Sequence, residues 1–399
     1  LDNGSLGKLE RDQQGTTNLY NYNYWSSPVT TQGANNNSPY TVNGILRDGT
    51  NTNAAALPTI NWIGGYDAIP SPLSLPYYWL WSYEDFPEDT YSAWNQIGAN
   101  GTLNAGLAFT MKGSGAGSAV VPDGVITGGS QSNGIQNYVF RGKPNNEDIL
   151  VDINSFYQSL VGNPYPSAID ANEFIDDNIP TGGNPDANPS TEGTLYFWEH
   201  YTQNQTHILS EYQGGYALLN KSGGVQTYVP ALISGAGSAS KTPGRYIPVG
   251  QGFFVTNISD ASSQVKFEND QRYFVPEQTS TSTFLKQSGS KKSNNNMVNS
   301  IIPSKEKNDN IKRIRFIYTT PEGARRFLLL GFTPNNEASD GFDYGYDAPN
   351  TENLPNDMSW VIEEELYIIQ GVGDFDETKK YPLHLELGNS GLVKIKYDI

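Results

Sequence analysis

The chain has 399 residues and carries 42 acidic against 25 basic side chains, a net charge of −17. That charge excludes nucleic acid as a main partner and an anionic membrane surface as a docking site, since both need a cationic face. Cysteine is absent and histidine occurs three times, at His200, His207 and His384, which excludes disulfides, thiolate metal sites and most histidine-rich ones. Aromatic residues make up 12%, and there are 41 glycines and 24 prolines. Rings suit pleated surfaces, and Gly and Pro suit turns, so the composition points to an all-β secreted protein. No run of about 18 apolar residues is present to cross a bilayer as a helix. The chain begins at Leu1 without a signal peptide, which reads as a processed form or a fragment.

Short strands are predicted at 20–25, 106–112, 137–141, 193–198, 215–219 and 250–256, separated by long polar loops. Helix is scarce. A single turn is expected over 170–177, with Asp170 as N-cap and Glu173 three residues later, and a weaker one over 88–95. This spacing describes a large sandwich or jelly-roll-like domain over 1–285. Residues 286–312 are rich in Ser, Asn and Lys and read as a solvated linker. A smaller β-sandwich unit follows over 313–399, with strands at 313–319 and 326–332. In it Leu383, Leu385 and Leu387 alternate with His384 and Glu386, and Val393, Ile395 and Tyr397 alternate with Lys394 and Lys396. With the turn 388–391 between them, these two runs are predicted to form a hairpin with one apolar and one wet face. The segment 115–119 is echoed at 235–239, but the flanks differ and no repeat architecture follows.

Three constellations could carry chemistry. Residues 77–85 set aromatics beside acids, and in a strand Tyr77, Trp79, Trp81 and Tyr83 would share one face, a platform on which sugar CH groups stack. Trp79, Trp81 and Tyr83 are the candidate ligand-binding residues, set against burial in the core, and 198–201 repeats the theme with Trp198, Glu199 and His200. The acid-rich loop 340–347 offers hard oxygen ligands from Asp340, Asp343 and Asp347 on a glycine-bearing loop, which fits calcium better than zinc, although the spacing is not that of an EF-hand. Asp374 and Asp376 are a second such pair. Lys241 and Thr242 end a near miss to a phosphate-binding loop, but Ser240 and Pro243 break the pattern. No nucleophile elbow or zinc-protease motif is present, so no catalytic residue is assigned.

Several phrases occur together and in order: Tyr24 to Val29, Phe109 to Gly113, Tyr138 to Asn145, Leu160 to Asp170 with its Gly-Asn-Pro-Tyr-Pro-Ser core, Leu195 to Trp198, Val249 to Val255, Asp340 to Asp347 and Asn356 to Trp360. The series resembles the C-terminal regions of large secreted or cell-surface proteins of Bacteroidota exported by the type IX secretion system, although no sorting domain is recognised in this chain. The resemblance implies a non-catalytic module on the outer-membrane exterior that presents or anchors other domains, with surface or secretion-system proteins, or further copies of itself, as partners. A carbohydrate-binding module, with glycans as partners, is the alternative, and a glycoside hydrolase or lyase with two carboxylates across a cleft is the third reading. The phrases themselves read as folding devices. In 162–166 the prolines hold Asn163 and Tyr165 extended, which makes a rigid corner, and 250–252 reads as a bulge entering a buried strand.

Overall fold

The structure is a computed structural model that describes residues 7–31, 35–50, 56–84, 86–87, 90–115, 135–180, 189–201, 205–230, 241–258, 262–277, 282, 310–352 and 354–399. Among them are thirty strands and two α-helices, Val42–Ile45 and Ala171–Asn178, so the fold is all-β. The segment 286–309, most of the expected linker, and all but Gly115 of the echoed glycine segments lie outside the described residues.

At the centre is a five-stranded antiparallel sheet in the order Gln158–Gly162, Gly252–Thr256, Leu195–His200, Gly214–Asn220 and Gly223–Val225. Successive side chains on a strand point to opposite faces, and here both faces are covered. Val161, Phe253, Phe197 and Leu219 enter one apolar core, while Leu160, Phe254, Tyr196 and Leu218 enter a second. The first core is closed by the long strand Ile135–Pro144, which pairs with Leu9–Thr16, and by Phe174 and Ile175 of the eight-residue helix. That helix starts as the sequence predicts: Asp170 accepts the Asn172 amide at 3.0 Å and also takes the Arg245 guanidinium at 2.8 Å. Of the weaker helix expected over 88–95, the described residues 90–95 hold the 3-10 turn Tyr91–Ala93 and the start of the short strand Asn95–Gln96, and 88–89 lie outside the described residues.

The second core is shared with the C-terminal sheet, which contributes Tyr318, Leu328, Met358 and Trp360. Its strands run in the order Leu383–Leu387, Asn356–Ile362, Glu365–Val372, Arg325–Phe332, Lys312–Thr319 and Lys394–Asp398, with the Arg325 and Glu365 strands parallel. The sheet curls until Trp360 meets Phe316 at 5.3 Å between ring centroids. Backbone bonds join it to the first 285 residues: Val229 and Arg325 exchange two of 2.8 Å, and Lys221 N donates to Gly345 O at 2.8 Å.

The expected hairpin of 383–398 is corrected. Leu383–Leu387 pairs with Asn356–Ile362, and Lys394–Asp398 pairs with Lys312–Thr319, so the two runs form opposite edges of the sheet. Each apolar run finds a longer strand that already borders the core, and the intervening residues cross from one edge to the other, where Asn389 Nδ2 donates to Glu322 at 2.7 Å. The proline corner holds as read. Asn163 Oδ1 accepts the Tyr165 amide at 3.0 Å, and its Nδ2 reaches Ser167 O at 2.8 Å and Ile247 O at 3.1 Å. Gly162 serves close approach, since a Cβ there would lie 2.6 Å from both Gln251 O and Ser26 Cβ.

Candidate functional site

Alternation on three strands builds one aromatic wall. In Tyr22–Ser26, Trp25 points into the first core while Tyr24 faces the other way. In Leu195–His200, Phe197 is core and Trp198 turns outward with Tyr196, and in Gly214–Asn220, Tyr216 shares that side with Leu218. Tyr24 and Trp198 stack at 6.3 Å and 17°, and Trp198 meets Tyr216 at 5.3 Å. Trp81, Tyr91, Trp94 and Tyr212 come from the surrounding strands and turns. Together these rings enclose a cavity of about 400 Å³ that is open to solvent and whose lining, among the described residues, includes no acidic residue. That volume is in the range of small-molecule sites. The indole Nε1 atoms of Trp81 and Trp198 have no hydrogen-bond partner among the described residues. A second cavity of about 150 Å³ adjoins the first across Tyr91, Trp94 and Tyr216, and is lined by Tyr83 and Gln158.

The expected platform of residues 77–83 is therefore only partly present. Tyr77–Trp79 is a 3-10 turn, which breaks the strand periodicity, and the four rings do not share a face. Trp79 is buried, and its Nε1 donates to Tyr66 O at 2.7 Å. Trp81 lines the main cavity. Tyr83 is buried beside the smaller one, and its hydroxyl donates to Pro87 O at 2.5 Å.

Behind the cavity lies a group that sequence reasoning missed. Lys112, the last residue of the buried strand Ala108–Lys112, is caged by rings: its Nζ is 3.6 Å from the Trp79 centroid, 4.5 Å from Tyr212 and 4.9 Å from Tyr22. It donates to the Tyr212 hydroxyl and to His207 Nδ1 at 3.1 Å, and His207 Nε2 donates to Asp67 at 2.8 Å. Burial pushes the Lys112 amine down to about 7, against the charge of Asp67. Cation–π attraction to three ring faces opposes that shift. Because Tyr22 and Tyr212 also line the cavity, this cage fixes part of its wall. The available signal was the alternation of Thr110 and Lys112 opposite Tyr24 and Tyr22 in paired strands.

The acid-rich loop is self-contained. Asp340 pairs with Lys379 at 2.8 Å, Asp343 accepts Ser339 Oγ at 2.8 Å, and Asp347 accepts the amides of Asp343 at 2.6 Å and Gly371 at 2.7 Å. Burial raises the Asp347 carboxyl to about 8, against those two amide bonds. Asp376 caps a turn by accepting from Thr378 at 2.7 Å. Among the described residues the carboxylates that do converge, with ligand atoms within 4.8 Å of one another, are Asp177, Glu268 and Asp270. Their neighbours hold them, since Gln271 Nε2 donates to Asp177 at 2.7 Å and Lys266 pairs with Glu268 at 2.9 Å. No helix among the described residues is long and apolar enough to cross a membrane.

No curated protein and no solved structure matches the chain. Residues 68–399, which include Trp81, Trp94, Lys112, Trp198 and Tyr216, match the family described as a domain of unknown function, DUF8693. That is well over half of the sequence, and the chain belongs to the DUF8693 family.

Proposed function

We propose that this chain is a non-catalytic binding and adhesion module of an exported cell-surface protein, and that its aromatic cavity takes a saccharide ring from a surface glycan. The observation that carries the reading is the cavity itself, walled by eight rings with two indole N–H groups that lack partners among the described residues. A sugar presents CH groups on one face and hydroxyls at its rim. Stacking on Trp81 or Trp198 would cover the first, and the open side of the cavity would leave most of the second in water. Among the described residues the lining is aromatic with Ser92, Thr110 and Leu209, which suits a ligand bound by ring stacking. Presentation on the outer-membrane exterior follows the sequence resemblance, and adhesion through glycans would join that role to the cavity.

The test is a glycan array followed by calorimetry on the full chain, with Trp81→Ala and Trp198→Ala as comparisons. The expected result is a saccharide hit that each substitution weakens at least about tenfold, the scale of an aromatic anchor. No binding across neutral, acidic and amino sugars, or binding that both variants retain, would remove the reading.

A further inference from the structure

The strand Lys394–Asp398 closes one edge of the C-terminal sheet. It pairs with Lys312–Thr319 on one side and, among the described residues, with no strand on the other. Its apolar side chains are left in water. Ile395 is 48% exposed, Tyr397 69% and the following Ile399 87%, on the face where Tyr318, opposite Ile395, belongs to the core. An unpaired edge with an apolar face is a template for strand addition, which proteins ordinarily blunt.

The order of charges selects the partner. Antiparallel pairing of this edge with a second copy of itself, centred on Tyr397, places Ile395 opposite Ile399, Tyr397 opposite Tyr397, and Lys396 opposite Asp398 twice. Parity keeps the three apolar residues on one face and the charged pair on the other. We infer that two copies of this chain associate through the edge strand Lys394–Asp398 in this twofold register, joining their C-terminal sheets into one continuous sheet. Such a contact is isologous, so it closes at a dimer and does not propagate. A register shifted by two residues, centred on Lys396, sets Lys394 opposite Asp398 twice but adds Lys396 opposite Lys396, so its charge complementarity is the poorer of the two. The opposite edge, Leu383–Leu387, pairs itself less well, because its His384 and Glu386 attract only when the imidazole is protonated. The inference is independent of what the aromatic cavity binds.

Sedimentation of the full chain over a concentration series tests it. The wild type is expected to reach a dimer. In this register Lys396→Asp sets acid opposite acid at both charged pairs and Asp398→Lys sets lysine opposite lysine at both, so each alone should stay monomeric at concentrations where the wild type is dimeric. Mixed one to one, the two variants should form a heterodimer, and the double variant Lys396→Asp with Asp398→Lys should dimerise again. Both positions are solvent-exposed, and circular dichroism checks that each variant is folded. A monomeric wild type at every concentration overturns the inference, as do single variants that dimerise like the wild type or a mixture that stays monomeric. Capture of a strand from a different protein by a chain that does not self-associate overturns it too.

Discussion

Lys112 Nζ lies 3.6 Å from the centre of the Trp79 ring, on a lysine that is 3% exposed. A buried amine beside three ring faces and a histidine is a costly arrangement, and it puts a pH dependence on the wall of the aromatic cavity. Burial lowers the amine from its ordinary 10.5 to about 7. The folded state therefore binds fewer protons than the unfolded state between those values. Stability linked to this group is complete above about 10.5 and is lost as pH falls through about 7.

Lys112→Met should remove that dependence. Each pKa unit is worth about 1.4 kcal/mol, so the wild type should lose on the order of a few kcal/mol relative to the variant as pH falls from about 10.5 to about 7. The variant leaves His207 and the Tyr212 hydroxyl without their donor, so its stability at the alkaline end should be the lower of the two. Tm measured against pH for both proteins checks this, and parallel curves would show that the amine keeps its ordinary titration.

Trp79 and Trp81 are two residues apart and should respond to truncation with losses of very different size. Trp79 is a 1% exposed ring that floors the Lys112 cage, so Trp79→Ala should cost about 3–5 kcal/mol, as large-to-small changes in a core do. Trp81 is half-buried at the cavity wall, and Trp81→Ala should cost about 1 kcal/mol, the centre of the range for point changes. Urea midpoints at constant slope separate the two, and equal losses would contradict their assignments to core and cavity.

The contrast between those residues marks where the sequence was legible. Strand-like runs between turn clusters located strands such as Ile135–Pro144, Gly214–Asn220, Lys312–Thr319 and Arg325–Phe332 but not Leu9–Thr16, Asn356–Ile362 or Glu365–Val372, and the Asn163 corner and Asp170 cap follow from local side-chain chemistry. The 3-10 turn Tyr77–Trp79 is set by contacts of Trp79 with Tyr66 and Thr110, and nothing in residues 77–83 alone encodes them. The cavity was hidden for the same reason. Tyr24, Trp94, Trp198 and Tyr216 meet across separations of up to 192 residues, a pairing that only the folded sheet order supplies. The pairing of 383–398 failed because alternation fixes which face is apolar and says nothing of which strand is the neighbour.

Asp347 carries the opposite sign to Lys112. Burial raises its carboxyl from 3.8 to about 8, so its contribution to stability is complete below about 4 and is lost as pH rises through about 8. Asp347→Asn should flatten this part of the profile while lowering Tm throughout, because an amide can accept only one of the two backbone N–H bonds from Asp343 and Gly371. The same bonds bear on calcium. Asp340, Asp343 and Asp347 would have to leave Lys379, Ser339 and two amides to coordinate an ion, so the expected outcome is that neither EDTA nor added calcium moves the wild-type Tm. A calcium-dependent rise that Asp347→Asn abolishes would place the ion in this loop.

Arg326 and Asp357 join the curled halves of the C-terminal sheet. The guanidinium, 3% exposed, places Nε 2.7 Å from Oδ1 and Nη2 2.9 Å from Oδ2 of Asp357, while Nη1 reaches Glu352. Asp357→Ala leaves a buried charge with Glu352 alone, and Asn350 Nδ2 loses one of its two acceptors. Breaking one side of a buried pair costs about 3–5 kcal/mol, and the remaining Glu352 should hold the loss near the lower end. Replacing both partners, Arg326→Met with Asp357→Leu, removes the uncompensated charge together with the fork, so the double variant should be more stable than Asp357→Ala alone. That non-additivity is the signature of a desolvated pair, because exposed partners would give losses of under about 1 kcal/mol that simply sum. Urea denaturation of Arg326→Met, Asp357→Leu and the double variant decides between them, and additive small losses would mean that packing of Trp360 on Phe316, rather than the ion pair, holds the curl.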